Sequence, residues 1–548
     1  MQISVSDLIV RYMERLGIDL IFGMPGAHVL PIYDSLYHSR VRTVLVKHEQ
    51  GASFMAGGYA RIAHRPSACI ATAGPGATNL ITGVANAFAE QQPMLVITGE
   101  TSTYIFGRGG LQESSGEGGA IDQAELFRGI TRYRKLIERT DYVGQVLNQA
   151  TQALFAAQPG PVLLSVPYNV QKETVDETVL EQVHFPDAMV RDAGQPGAIA
   201  QLAQLIRGAE RPVIIAGYGC IKAGARGEVA SISEGLDIPV ATSLKGKGIV
   251  TEGSPLSLGC LGVTSNGEAR RYIEEHADLV IFLGAGFNER TSYLWDTSLL
   301  DGKTIVQVDR DASQLGRVFS PDVAIQGDVR HVLEDLREQL QIDDAAHATA
   351  PLAPMATVPA AEDDPRFALI RGFYSALAQY FPHNAIVFDD NIVFAQSYFD
   401  VSDRNHYFPN SGISSLGHAI PAAIGARLFA EDSPTFAILG DGGFQMCCME
   451  IMTAVNYRVP LNVVVINNGT MGLIRKNQYQ LYGERYIDCD FSNPDFAALA
   501  AAFGIAYHRI EQLSDIDDLF QRADLEAAIN LVEIVMDKHA FPTYLSSR

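Results

Sequence analysis

Two unbroken apolar runs near the carboxyl end of the chain stop abruptly at polar, glycine-bearing turns. Phe436-Ala437-Ile438-Leu439 runs into Gly440-Asp441-Gly442-Gly443, and Val463-Val464-Val465-Ile466 into Asn467-Asn468-Gly469-Thr470. Such runs read as parallel strands buried on both faces, which commits this part of the chain to an open sheet layered between helices. Ligands of such sheets bind outside the carboxyl ends of the strands. Asp441 and Asn468, 27 positions apart, therefore converge on one point. A carboxylate, an amide oxygen and a backbone carbonyl, for which Thr470 is the candidate, suit a hard cation such as Mg²⁺. Gly440, Gly442 and Gly443 leave backbone N–H groups open to a diphosphate, and the helix that starts there adds its dipole.

This pair of turns at this spacing resembles the metal–diphosphate motif of thiamine diphosphate enzymes. A Gly-Asp-Gly-Gly turn alone would be an ordinary surface turn. Two strand ends at a fixed separation make the match specific.

Composition narrows the remainder. At 548 residues, 47% hydrophobic and 19% charged, the chain is globular material too long for one core. A net charge of −22 argues against a nucleic-acid or anionic-membrane partner. An anionic substrate still fits, because a pocket can be locally basic. Cys69, Cys220, Cys260, Cys447, Cys448 and Cys489 form no C-x-x-C pair and read as free thiols in a reducing cytoplasm. The first residues lead into an amphipathic helix from Leu8 to about Leu16, without the basic start and apolar core of a signal peptide. No apolar stretch is long enough to predict a membrane-spanning helix.

Short apolar strands alternate with helical stretches in three blocks, which predicts an α/β chain with three doubly wound parallel-sheet domains. Their expected bounds are 1–170, 190–342 and 365–548. Asp343 to Asp364, rich in Ala, Pro and Asp, reads as a linker. The Asn169–Asp192 junction is mixed. In this order the blocks resemble the pyrimidine-binding, central and diphosphate-binding domains of acetolactate synthase-like enzymes, over essentially the whole chain. In those relatives the pyrimidine and diphosphate half-sites come from different subunits. The resemblance therefore implies a homodimer or a dimer of dimers, with active sites between subunits.

In Val46-Lys47-His48-Glu49-Gln50, Glu49 resembles the family's essential carboxylate. A carboxyl hydrogen-bonded to N1′ of the cofactor's pyrimidine shifts that ring toward its imino form, whose nitrogen takes the C2 proton. Poor solvation strengthens such a bond. The plainer reading is a helix-start acid favoured by the dipole. Gly23-Met24-Pro25-Gly26-Ala27-His28 resembles the loop beside the pyrimidine. It makes Pro25 a contact and His28 a proton shuttle, or else a solvent-facing helix-start histidine. Thr72 and Asn79 flank the turn Gly74-Pro75-Gly76 and are candidate pocket polars. Gln112 matches a family glutamine aimed at the substrate. The piece Ser115–Gly119 looks inserted beside it, which leaves Gln123 as the alternative and a lid as the insert's role. By resemblance, Leu416 wedges between the cofactor's rings and the Ser414 carbonyl accepts from its 4′-amino group, an arrangement that prepays ordering entropy. Met471, Gly472 and Leu473 would complete the diphosphate cradle. Arg475 and Lys476 read as attractors of a substrate carboxylate, or as a solvated basic helix face.

The chain also departs from the branched-chain acetohydroxyacid synthases. Asn477 stands where they carry tryptophan, and Gly284-Ala285-Gly286-Phe287 lacks the arginine of their Gly-x-Arg-Phe stretch. Thr264 replaces their histidine. Bound FAD is not supported by these segments. The expected activity is decarboxylation of a 2-oxo acid with transfer of the remaining fragment to an acceptor carbonyl. The alternatives are simple decarboxylation to an aldehyde and a non-catalytic relative, and Glu49, Asp441 and Asn468 all being present speaks against the last.

Overall fold

The computed structural model describes residues 1–185, 192–342, 364–542 and 544. The expected linker, except Asp364, and part of the first junction lie outside the described residues. Three parallel sheets of six strands each organise the chain. In spatial order the first sheet runs Arg42–Leu45, Leu20–Gly23, Ser67–Ala71, Met94–Glu100, Pro161–Pro167 and Tyr133–Leu136. The third runs His406–Pro409, Ile386–Asp389, Thr435–Gly440, Leu461–Asn467, Ile529–Val535 and Ala506–Ile510. Both place the second strand of the domain outside the first, and the last inside the fifth. The central sheet runs Ser257–Cys260, Val240–Thr242, Pro212–Ala216, Leu279–Leu283, Thr304–Asp309 and Val323–Gln326, the order of dinucleotide-binding sheets. At its switch point the N–H of Gly219 is bonded to the carbonyl of Gly284 at 2.9 Å.

The inner strands are mostly apolar without alternation because both faces are covered. In the first sheet Phe22, Cys69, Val96 and Leu163 face one core cluster while Ile21, Ile70, Leu95 and Leu164 face another. The first of these clusters continues into Phe388, Ala437, Leu439 and Val463 of the third sheet, so two domains share one core. Helices Glu49–Ala63 and Ala419–Arg427 cross inside it. Their approach requires glycine on each side. A Cβ at Gly58 would overlap the Ala422 carbonyl, and one at Gly425 the Met55 carbonyl.

The amino-terminal helix is Val5–Arg15, starting before the expected Leu8 because the Ser4 side chain caps Asp7 N at 3.0 Å. Gln2–Ser4 pairs antiparallel with Thr174–Asp176. All six cysteines are free. Among the described residues no helix is long and apolar enough to cross a membrane.

Candidate active site in two halves

Strands Thr435–Gly440 and Leu461–Asn467 are neighbours, with Gly440 opposite Ile466. Their ends bring Asp441 and Asn468 together. Asp441 Oδ2 accepts from Asn468 N at 3.2 Å and Gly469 N at 2.6 Å, and Oδ1 from Gly442 N at 2.9 Å. Burial raises the Asp441 pKa, and these bonds together with one from Asn493 oppose the rise. Asn468 Oδ1 accepts from Thr470 N at 3.2 Å, and the Thr470 hydroxyl is anchored on the Cys489 carbonyl at 2.9 Å. The donors are oxygen atoms with a single carboxylate among them, which fits a hard cation completed by diphosphate oxygens.

A cavity of about 290 Å³ opens above these ends. It is lined by Asp441, Asn468 and Thr470, by Gly440, Gly442 and Gly443, by Met471, Gly472 and Leu473, and by Ser414 and Leu416. A Cβ at Gly440 would meet only open space. Ser414 sits at φ 55°, and its carbonyl accepts from Asn391 Nδ2 at 3.1 Å. The Leu416 turn is pinned by Asp390, whose carboxylate accepts from Gly417 N at 2.5 Å, His418 N at 3.2 Å and Asn410 Nδ2 at 3.0 Å. Burial pushes the Asp390 carboxyl up to about 7. Arg290 of the central domain and Phe541 and Pro542 of the carboxyl-terminal segment also line the cavity. Sequence reading missed Arg290, Asp390 and Asn493, which lie on loops without periodicity.

The second half lies at the carboxyl edge of the first sheet. Glu49 opens its helix, and its Oε2 accepts from Asn79 Nδ2 at 3.0 Å. Thr72 sits between two other candidates. Its hydroxyl donates to Gln112 Oε1 at 3.2 Å and lies 3.3 Å from His28 Nδ1. The hydroxyl has one proton, so Nδ1–H of a neutral His28 donates to it and Nε2 is left as the basic atom. Burial lowers the His28 pKa, which favours that neutral form. Pro25 is exposed at the rim of the same turn.

Gln112, not Gln123, belongs to this cluster. Gln123 is core, its Nε2 donating to the Gly99 carbonyl at 2.9 Å and Ser165 Oγ at 2.6 Å. The expected lid is a tied-down turn. Glu113 accepts from Gly107, Gly109 and Gly110 N–H groups, and Gly116 N bonds the Ile121 carbonyl at 3.0 Å. Arg475 and Lys476 also depart from expectation. Both are buried. Arg475 is held by Asp490 at 2.8 Å, and Lys476 lies 3.6 Å from the Tyr544 ring centroid. Neither forms a solvated face, and Arg475 is already committed to a carboxylate. Burial and the nearby Arg290 lower Lys476 to about 8.

Among the described residues, no first-domain residue lines the Asp441 cavity.

Comparison with known proteins matches the domains that carry both halves. Models of the thiamine pyrophosphate enzymes match residues 3–125 (N-terminal TPP binding domain), 199–336 (central domain) and 390–534 (C-terminal TPP binding domain). The acetolactate synthase large subunit of Corynebacterium glutamicum is 32% identical over 94% of this chain and 84% of its own length. The chain belongs to the thiamine pyrophosphate enzyme family. Acetolactate synthase isozyme 1 large subunit of Escherichia coli is 31% identical over 96% of this chain and 91% of its own. Acetolactate synthase of Arthrospira platensis is 31% identical over 93% and 90%.

Proposed function

We propose that the protein is a thiamine diphosphate-dependent carboligase that decarboxylates a 2-oxo acid and transfers the remaining fragment to an acceptor carbonyl. The observation that carries this reading is the cavity in which Asp441, Asn468, Leu416 and the glycine turn converge. When bound, thiamine diphosphate supplies the electron sink for loss of CO₂. Asp441, Asn468 and the Thr470 carbonyl would hold Mg²⁺, and the N–H groups at Gly442, Gly443 and Gly472 would hold the diphosphate. Leu416 would pack against the bound cofactor, and the Ser414 carbonyl, which now accepts from Asn391, would be an acceptor for its amino group. Glu49, oriented by Asn79, would hydrogen-bond the pyrimidine. Neutral His28 moves protons on the substrate side, and Gln112 orients the reacting carbonyl. Arg290 takes the substrate carboxylate.

A second copy completes the site. Exposed Leu30 and Leu111 flank the Glu49 half, and exposed Ile413, Met446 and Met449 flank the Asp441 half. Apolar side chains grouped beside both halves fit an isologous interface that joins the Glu49 of one copy to the Asp441 of its partner.

The names of the relatives favour transfer over simple decarboxylation. A CO₂-release screen over 2-oxo acids, with products identified, decides. A 2-hydroxyketone supports the reading. An aldehyde as sole product replaces it with a decarboxylase in which His28 protonates the fragment.

A further inference from the structure

One segment of the third domain grips the piece of the first domain that carries Glu49. Glu450 is buried between the domains. Its Oε1 accepts from His48 N at 3.0 Å and Lys47 N at 3.1 Å, and its Oε2 lies 3.3 Å from Lys47 N. The Thr453 hydroxyl donates to Oε2 at 2.7 Å and fixes the carboxylate's orientation. At the far end of helix Ile451–Tyr457, the Tyr457 hydroxyl accepts from Leu45 N at 2.7 Å. Leu45 ends the outer strand of the first sheet, where an N–H has no neighbouring strand to pair with. Inside the helix, a Cβ at Gly51 would overlap Glu450 Oε1. Leu45, Lys47 and His48, just ahead of Glu49, are thus bonded through their N–H groups from another domain, and Gly51, just after it, packs closely against the same carboxylate.

The physical case rests on cost. A buried carboxylate loses its hydration, and burial raises the Glu450 pKa accordingly. Its compensation here is a set of backbone N–H groups just ahead of a helix, where an anion is also favoured by the dipole. Those N–H groups belong to the two residues before Glu49. Holding them fixes where the Glu49 side chain leaves the backbone.

We propose that Glu450 is a positioning residue for Glu49, setting the start of its helix so that the Glu49 carboxyl meets the cofactor in productive geometry. The proposal rests on Glu49 being the activating carboxylate. What the site needs from Glu450 is acceptor oxygens at fixed points rather than charge, and glutamine can supply Oε1 to both amides while its Nε2 donates to Thr453 Oγ1.

The test uses the full chain as Glu450→Ala, Glu450→Gln, Tyr457→Phe and Gly51→Ala, with Glu49→Gln alongside. Amide hydrogen–deuterium exchange of residues 45–51, by mass spectrometry without cofactor, is expected to quicken in Glu450→Ala and to stay near the parent in Glu450→Gln. At saturating thiamine diphosphate and Mg²⁺, exchange of the cofactor's C2 proton is expected to slow about tenfold or more in Glu450→Ala, with cofactor affinity changed by less than about threefold. Glu450→Gln should restore most of that rate. Where Glu450→Ala does not fold, Gly51→Ala, which pushes on the same oxygen, and Tyr457→Phe carry the same expectation in weaker form. Parental C2 exchange in Glu450→Ala overturns the proposal, whether or not the segment loosens, because the contact is then structural only. So does Glu450→Gln failing as badly as Glu450→Ala. Parental C2 exchange in Glu49→Gln sinks the assignment of Glu49 itself and the proposal with it.

Discussion

Asn493 Nδ2 lies 2.7 Å from Asp441 Oδ2 and 2.8 Å from Asn467 Oδ1, so one side-chain amide ties the metal-side carboxylate to the end of the neighbouring strand. Gln445 Nε2 in turn donates to Asn493 Oδ1 at 2.8 Å. The carboxylate proposed to hold a dication is therefore oriented by side-chain amides. Asp441→Ala removes the only charged ligand and is expected to abolish Mg²⁺-dependent binding of thiamine diphosphate. Asn493→Ala leaves the ligand but frees its orientation, which costs about 10–100-fold in metal affinity at comparable second-layer contacts. Calorimetry of cofactor binding with and without Mg²⁺ checks both. Retained affinity in Asp441→Ala would refute the metal assignment.

Glu49→Gln separates catalysis from binding. On the proposed function the Asp441 half would anchor the far end of the cofactor, so affinity should weaken only modestly. An amide cannot drive the pyrimidine toward its imino form, so most turnover should vanish. If Glu49 were only a helix-start acid, the substitution would cost about 0.3–1 kcal/mol of stability and leave rates near normal. NMR of the C2 proton after acid quench distinguishes the two, and parental exchange would mean that Glu49 is not the activator.

The parts of this site written as continuous local pattern were legible in the sequence. Gly440 to Gly443 and Asn468 to Thr470 sit at the ends of apolar runs, so strand burial fixed their place and the parallel sheet brought them together. Arg475 was misread because its partner, Asp490, lies 15 residues away across a fold that the charge pattern does not reveal. Gln112 stood as the match and Gln123 as the alternative, since an insertion shifts the count. Only the core bonds of Gln123 decide between them. Asn493, Asp390 and Arg290 stand on loops from distant parts of the chain, where neither a period of 3.6 nor of 2 marks a residue as facing a ligand. The sharing of one core by the first and third domains was likewise invisible, because it depends on two helices meeting through Gly58 and Gly425.

Glu100 gives the folded chain a pH dependence of definite sign. It is buried beneath the loop that carries Gln112, its Oε1 accepting from Thr101 N at 2.7 Å and Ser114 N at 3.0 Å, while Oε2 has no partner among the described residues. Burial raises its pKa from 4.5 to about 7. An acid that holds its proton longer when folded stabilises the fold fully below its unfolded pKa. That contribution is lost as pH rises toward the folded value. Between about pH 4.5 and 7 the loss amounts to at most about 3 kcal/mol. Glu100→Gln keeps an acceptor for both amides and does not titrate. Thermal midpoints measured across this range should fall less with rising pH in Glu100→Gln than in the parent. Parallel curves would show that Glu100 does not titrate in this window.

The separation of Glu49 from the Asp441 cavity leads to an assay in which two dead chains make a live enzyme. Glu49→Gln keeps a sound diphosphate half, and Asp441→Ala keeps a sound pyrimidine half. In a dimer whose sites are shared, a mixed pair holds one site with both defects and one with neither. Random exchange of equal amounts makes half of the dimers mixed, so about a quarter of the parental activity should return. Each variant alone should stay inactive, and the regained activity should appear only after subunits have been exchanged by dilution or mild denaturant and reassociated. The apolar groups at Ile413, Met446 and Met449, exposed in the single chain, should lose solvent contact in the same step. Their labelling by a carbene or hydroxyl-radical probe gives a readout independent of turnover. If the two variants reassociate and protect these residues yet regain no activity, each chain builds its active site alone, and the shared-site arrangement is wrong.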